Sequence, residues 1–136
     1  MEKAAFSLVH YSFDKVNIDY SLKEDCRTTV NIIPKGVFKK GADKSSFDLS
    51  FIFTAQSEDN EPFVTIECNA IFEFSGLISF EEVPPFFYTN SIAILFPYIR
   101  AFISTVTLQS NNIPVILPTM NLSSLEKELR KNTIEE

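Results

Sequence analysis

Two apolar periods run along the chain, an alternating one up to residue 74 and a helical one beyond residue 85. Ala4 to Tyr20 reads as a long strand. Phe6, Leu8 and His10 alternate, and Val16, Ile18 and Tyr20 alternate in the same phase, whereas Val9, Tyr11 and Phe13 are apolar in the opposite phase. A strand apolar on both faces predicts two contacts or a bulge. Ser21 to Ser46 is polar and holds Pro34, Gly36, Gly41 and the basic residues Lys35, Lys39 and Lys40. It reads as a crossing loop with one short extended piece, Val30-Asn31-Ile32. Phe47 to Ala55 alternates cleanly, Gln56 to Pro62 reads as a hairpin loop, and Phe63 to Phe74 is the next strand. Val64, Ile66, Cys68, Ala70, Phe72 and Phe74 share one face of it, as in a half-buried antiparallel sheet.

Ser75 to Pro85 reads as a turn and linker, since the Pro84-Pro85 pair keeps helix out of the residues before it. The spacing predicts a long helix from Thr89 or Asn90, either of which can cap it, kinked at Pro97 and ended by Asn111-Asn112-Ile113-Pro114. At about 100° per residue, Ile92, Leu95, Phe96, Ile99, Ile103 and Val106 form one apolar stripe. Ile94, Tyr98, Ala101, Thr105 and Leu108 form a second, with Phe102 between them. Only Ala93, Arg100, Ser104 and Thr107 suit water. A surface helix needs one apolar face, so this one needs cover on two sides. In a chain of 136 residues the second cover is expected to be another subunit. Val115 to Pro118 is a short extended connector. Ser123 followed by Glu126 predicts a capping box for a second, short helix with the stripe Leu122, Leu125 and Leu129. Thr133 to Glu136 reads as an acidic tail.

Length sets the expectation of one domain over residues 1–136. A net charge of −6 argues against nucleic acid as a partner, because phosphate binding needs a basic face. Fourteen Phe with no Trp give a large core and some expected exposed apolar surface. Cys26 and Cys68 are too far apart for a metal motif or a disulfide framework, and read as reduced thiols of a cytoplasmic protein. The start of the chain has no basic segment followed by an apolar one, so no signal peptide is expected. Pro97, Arg100 and the many Ser, Thr and Asn residues argue against a membrane span in the apolar region. The single histidine, His10, sits on an apolar strand face with no nucleophile motif near it. The carboxylates Glu58, Asp59 and Glu61 and those of the last helix read as solvated, and Glu81-Glu82 as loop. No catalytic residue, metal ligand set or cofactor motif emerges, and the chain is expected not to be an enzyme.

The segment Leu95-Phe96-Pro97-Tyr98-Ile99-Arg100, with Ile103-Ser104 one turn on, is followed by Leu117-Pro118-Thr119-Met120-Asn121-Leu122 and Leu125. In these residues the chain resembles the SecB family of export chaperones. That family opens its long helix with LFPYAR and its second helix after a proline-flanked connector. Here Leu122 stands where an aromatic is usual. Ala70 to Gly76 resembles the family's GIF-containing strand end, and Phe6 to Asp19 fits its first strand. The resemblance implies an α+β fold, a four-stranded antiparallel sheet with a long and a short helix packed on one face. It implies a homotetramer, a dimer of dimers, with the long helices at the central interface. The interface residues would be Ile94, Tyr98, Ala101, Phe102, Thr105 and Leu108.

The function implied is that of an ATP-independent holdase, keeping unfolded secretory polypeptides translocation-competent in apolar grooves. Groove residues carry over to Val30, Ile32, Leu122, Leu125 and Leu129. Phe38 joins them from its isolation in a basic loop. Docking of the translocation motor ATPase uses an acidic patch in the family. Its positions fall on Lys15 and Asp19, and on Phe63 and Thr65; only Asp19 and Phe63 keep the character. Some family members instead protect an antitoxin in a toxin–antitoxin system. Two further readings are a small apolar ligand-binding domain and a scaffold with one folded partner.

Overall fold

The computed structural model of the chain describes residues 5–58, 60–118 and 120–136. Ala4, where the first strand was expected to start, the loop carboxylate Asp59 and the connector residue Thr119 lie outside the described residues. The sheet is built from β1 (Phe6–Ile18), β2 (Thr28–Lys40), β3 (Ser45–Ser57), β4 (Pro62–Phe74) and β5 (Thr133–Glu135) in the order β1-β4-β3-β2-β5. The first four strands pair antiparallel, and β5 adds in parallel to β2. Helix α1 (Pro85–Gln109) and helix α2 (Leu122–Lys131) complete the α+β fold. The fifth strand is a small addition to the four expected.

In β1 the phase change is resolved by bulges. Register slips between Leu8 and His10 and again between Phe13 and Lys15. Each extra residue turns the following side chains over. Phe6, Leu8, Tyr11, Phe13, Val16 and Ile18 thereby lie opposite the core-facing residues of β4. His10 pairs with Ile71 and faces outward, so the expected apolar environment of this histidine is corrected.

The largest correction concerns Ser21 to Ser46, most of which is not loop. β2 is a 13-residue strand paired with β3 without a register break. Ile32, Pro34, Gly36 and Phe38 point into the core, and Lys35 and Lys39 away from it. Pro34 survives in the ladder because β2 has β3 on one side only over most of its length, so its missing N–H is not needed. Gly36 is required by packing: a Cβ there would stand 2.3 Å from the Phe47 ring and 2.8 Å from the Thr133 hydroxyl.

α1 starts at Pro85, earlier than expected, because proline at the first helical position lacks only an N–H that would have had no partner there. It runs as one helix through Pro97. α2 is capped by Asn121, whose side chain accepts from the Ser123 and Ser124 N–H groups, in place of the expected Ser123 cap. The first stripe of α1 is buried on the sheet. Ile92, Leu95, Ile99 and Ile103 are core residues, Phe96 is buried and Val106 half-buried.

Phe87 centres the aromatic packing. Its ring lies 4.8 Å from Phe6, 4.8 Å from Phe47, 5.0 Å from Phe74 and 5.7 Å from Phe72, mostly edge to face. Of the fourteen Phe only Phe86 is exposed, so the surplus fills the core. Truncating Phe87→Ala leaves a void between helix and sheet and should cost about 3–5 kcal/mol. Urea unfolding of the purified variant measures this, and an unchanged midpoint would contradict the packing described.

Candidate functional site

Among the described residues, two apolar surfaces gather several exposed side chains each once the core is closed. The first is the outer stripe of α1. Ile94 is 40% exposed, Tyr98 46% and Leu108 55%, and Ala101 and Thr105 are exposed beside them. The strand β1 continues this surface. Tyr11 stacks on Tyr98 at 4.8 Å, and Phe13 stacks on the half-buried Phe102 at 3.9 Å. A depression of about 580 Å³ between Ala5, Phe6, Phe86, Asn90, Ala93 and Ile94 extends it toward the start of α1. Of the four α1 positions expected to meet water, Ala93 and Arg100 do, Ser104 is half-buried and Thr107 is fully buried.

Thr107 has a local task. Its hydroxyl donates to the Ile103 carbonyl at 2.7 Å, and accepts from the Val115 N–H at 2.8 Å. Arg100 Nη2 donates to the Pro118 carbonyl at 3.3 Å. These two bonds fasten the connector from α1 to α2 along the side of the long helix. Just before the first of them the connector turns Ile113 outward, and between the two it turns Ile116 outward, 88% and 67% exposed.

The second surface is a groove of about 450 Å³ between this connector and the crossing segment. Its walls include Tyr20, Val30, Phe63, Ile113, Val115 and Ile116. The Tyr20 ring lies 5.5 Å from that of Phe63, and its hydroxyl is buried with no hydrogen-bond partner among the described residues. Asp19 positions this corner. Its N–H donates to the Phe63 carbonyl at 2.8 Å, and its carboxylate accepts from the Ser21 N–H at 3.1 Å.

The positions singled out from the sequence separate accordingly. Val30 and Leu122 are half-buried, and Val30 lines the groove. Ile32, Leu125, Leu129 and Phe38 are core residues with almost no surface, and Phe38 stacks on Phe80 at 5.5 Å. Phe38 is thus corrected from an isolated loop residue to a filled position of β2, where core packing occupies the whole ring. Phe63 is buried in the groove wall and does not share the outer sheet face, whereas Asp19 is exposed. Lys15 pairs across strands with Glu67, and Thr65 with Asn17. The connector isoleucines and Tyr20 were missed by sequence reading. The signal for the isoleucines is apolar residues flanking Pro114 in a segment too short for an element.

The outer sheet face carries polar groups. Ser12 donates to Asp14 at 2.8 Å, Asn69 donates to Asp14 at 2.6 Å, and Ser50 donates to Asn69 at 2.6 Å. The bonds from Asn69 and Ser12 hold the Asp14 carboxyl below its ordinary value. His10 and Asp48 border the same shallow cleft. Among the described residues no group of three or more His, Cys, Asp or Glu could hold a metal ion. By length and composition alone α1 could cross a membrane.

The family described as preprotein translocase subunit SecB matches residues 8–132 of the chain. An uncharacterized protein of Methanocaldococcus jannaschii is 32% identical, over 81% of this chain and 75% of its own length. Among solved structures, the SecB-like chaperone Rv1957 of Mycobacterium tuberculosis, in complex with a ChAD peptide from the HigA1 antitoxin, superposes with a TM-score of 0.57 at 16% identity. It covers 85% of this chain and 91% of that one. A Streptococcus agalactiae protein of unknown function gives a TM-score of 0.50 at 13% identity, over 85% of this chain and all of its own.

Both thiols are free. Cys26 is half-buried, and Cys68 is buried on β4, where burial pushes its pKa up to about 12. Its raised value keeps the neutral thiol throughout the neutral range and denies it thiolate chemistry. A thiol reagent at mildly alkaline pH should therefore leave Cys68 unmodified in the native protein and modify it in denaturant. Rapid modification of Cys68 before unfolding would contradict this placement.

Proposed function

This chain belongs to the SecB family, and on that footing we propose that it is a holdase, a non-enzymatic cytoplasmic chaperone that binds unfolded polypeptide without ATP or any cofactor. The observation that carries the reading is the groove beside the connector, where Ile113 and Ile116 stand out as the two most exposed large apolar side chains among the described residues. Exposed apolar surface of this kind costs solubility in a folded protein and is retained where it meets a partner. A flexible, unfolded client offers apolar side chains without a fixed shape, so a shallow groove suits it better than a deep pocket does. The net charge of −6 keeps such a surface from self-association by general repulsion.

The outer stripe of α1 is given a separate role. It is continuous with β1 through the Tyr11–Tyr98 and Phe13–Phe102 stacks and is the largest helical face left without cover. A second copy of the chain is proposed as that cover, with a dimer of dimers as the complete assembly. The two surfaces are then distinct: one builds the oligomer, and the other stays open for clients.

Clients are proposed to be unfolded chains in general, secretory precursors included. A dedicated antitoxin client is the second reading, and a specific observation favours it. Of the four positions corresponding to the motor-docking patch, two are Lys15 and Thr65, and Phe63 is turned into the groove wall. That leaves Asp19 alone as an exposed acid of the patch, which weakens the case for hand-over to the translocation motor. The relation of Rv1957 to an antitoxin peptide is in keeping with this second reading.

Fluorescence anisotropy of a labelled polypeptide, unfolded and folded, decides the general reading. Binding of the unfolded form alone, in the micromolar range or tighter and without nucleotide, is expected. Ile116→Glu places a charge in the groove at an exposed position, so it should weaken binding about tenfold, or ~1.4 kcal/mol, with an unchanged melting temperature. No binding to several unfolded chains would sink the general holdase, and selective capture of one antitoxin-like peptide would turn the reading to the second.

A further inference from the structure

Away from the groove, a cavity of about 300 Å³ lies where the start of α1 meets the end of α2. Its walls are Phe80, Glu81, Val83, Tyr88 and Arg130, so separate stretches of the chain meet there. Its size is at the lower end of the range that takes small molecules. Each of its polar walls carries a group that the fold itself does not use.

Tyr88 is 6% exposed, and its ring is held by Phe47 and Phe87 and by the Arg130 guanidinium 4.4 Å above it. Its main-chain carbonyl accepts from the Ser91 hydroxyl, but its own hydroxyl has no hydrogen-bond partner among the described residues. Unlike the Tyr20 hydroxyl, it is not sealed from solvent. A tyrosine buried this far ordinarily finds a partner for its O–H, so this one is a donor held free on the cavity wall. Burial raises its pKa above the ordinary value, and the proton stays on the oxygen at neutral pH. Arg130 is fixed from two sides, Nε donating to Glu126 at 2.9 Å and Nη2 to the Pro85 carbonyl at 3.3 Å. Its Nη1 has no acceptor among the described residues. Glu82 is engaged by the Ser79 N–H at 3.0 Å, whereas its neighbour Glu81 is exposed and enters no ion pair among the described residues.

We propose that this cavity binds a small zwitterion, an α-amino acid with an apolar side chain. The carboxylate is received by Arg130 Nη1 and the Tyr88 hydroxyl, the ammonium faces Glu81, and the side chain lies on Phe80 and Val83. A guanidinium with one edge already anchored is a preorganised carboxylate partner. Glu81 repels a dianion such as inorganic phosphate and attracts an ammonium. The apolar wall is firm, since Phe80 stacks on Phe38 at 5.5 Å and Val83 is buried. This site stands apart from the holdase reading, because the cavity shares no wall residue with the client groove.

The test titrates the full chain with phenylalanine, N-acetylphenylalanine and phenethylamine, followed by calorimetry and by the melting temperature, which rises when a ligand binds only the folded state. Phenylalanine should bind at about millimolar affinity or tighter. N-acetylphenylalanine, without the ammonium, should bind several-fold more weakly, and phenethylamine, without the carboxylate, should not bind. Tyr88→Phe keeps the ring and removes the free donor, so it should melt as the wild type does and lose affinity for phenylalanine several-fold. Glu81→Gln should remove the preference for phenylalanine over its N-acetyl form. No binding of phenylalanine up to its solubility limit would overturn the site, as would an affinity unmoved in Tyr88→Phe. A Tyr88→Phe variant that melts well below the wild type would show the hydroxyl to be structural and overturn it too. Equal binding of phenylalanine and N-acetylphenylalanine by the wild type would overturn the zwitterion. None of these outcomes touches the binding of unfolded polypeptide, which is read at the groove.

Discussion

Helix α1 imposes the constraint from which the rest of the structure follows. It is apolar on two sides, and a sheet can cover only one. The side bearing Ile92, Leu95, Ile99 and Ile103 is driven onto the inner face of β1–β4, and the side bearing Ile94, Tyr98 and Leu108 is left outside. Burying the first side fixes the helix against the sheet, and with it the connector that Thr107 and Arg100 fasten to its flank. The groove exists because that connector is held away from the crossing segment. The same helix whose outer side is left apolar thus also frames the groove proposed to receive clients.

The core is organised to tolerate this arrangement. Phe87 bridges β1, β3 and β4 through ring contacts, so the first turns of α1 are anchored whatever covers the outer stripe. Beside the same first turn of α1, α2 is tied back by Arg130. Its guanidinium lies over the Tyr88 ring at 4.4 Å, and its Nη2 donates to the Pro85 carbonyl at 3.3 Å. Leu125 and Leu129 close the core beneath it.

Much of this was legible from residue order. The alternation in Phe47–Ala55 and Phe63–Phe74 is unbroken, and each became a strand with the expected face inward. The conflict of phase in β1 was legible as a bulge, and two were found. The two stripes of α1 separated into buried and exposed as the helical period requires. β2 was not legible, because Pro34, Gly36 and the lysines imitate a loop, and only its edge position makes them compatible with a strand. β5 was beyond reach for a different reason: three residues carry no period, and the strand exists only because α2 delivers it to β2. The groove was half visible. Val30 was found through the family resemblance, Phe38 was misplaced with the loop that proved to be strand, and Ile113 and Ile116 were passed over as connector.

The central claim is that the outer stripe of α1 is covered by another copy of the chain, which leaves the groove as the free apolar surface. Sedimentation velocity at micromolar concentration, on the wild type and on Tyr98→Glu, tests it most directly. The account requires a discrete oligomer for the wild type, a tetramer if the dimer of dimers is complete, and a folded, smaller species for the variant. A wild type that sediments as a monomer, or an oligomer indifferent to a charge at Tyr98, would contradict it.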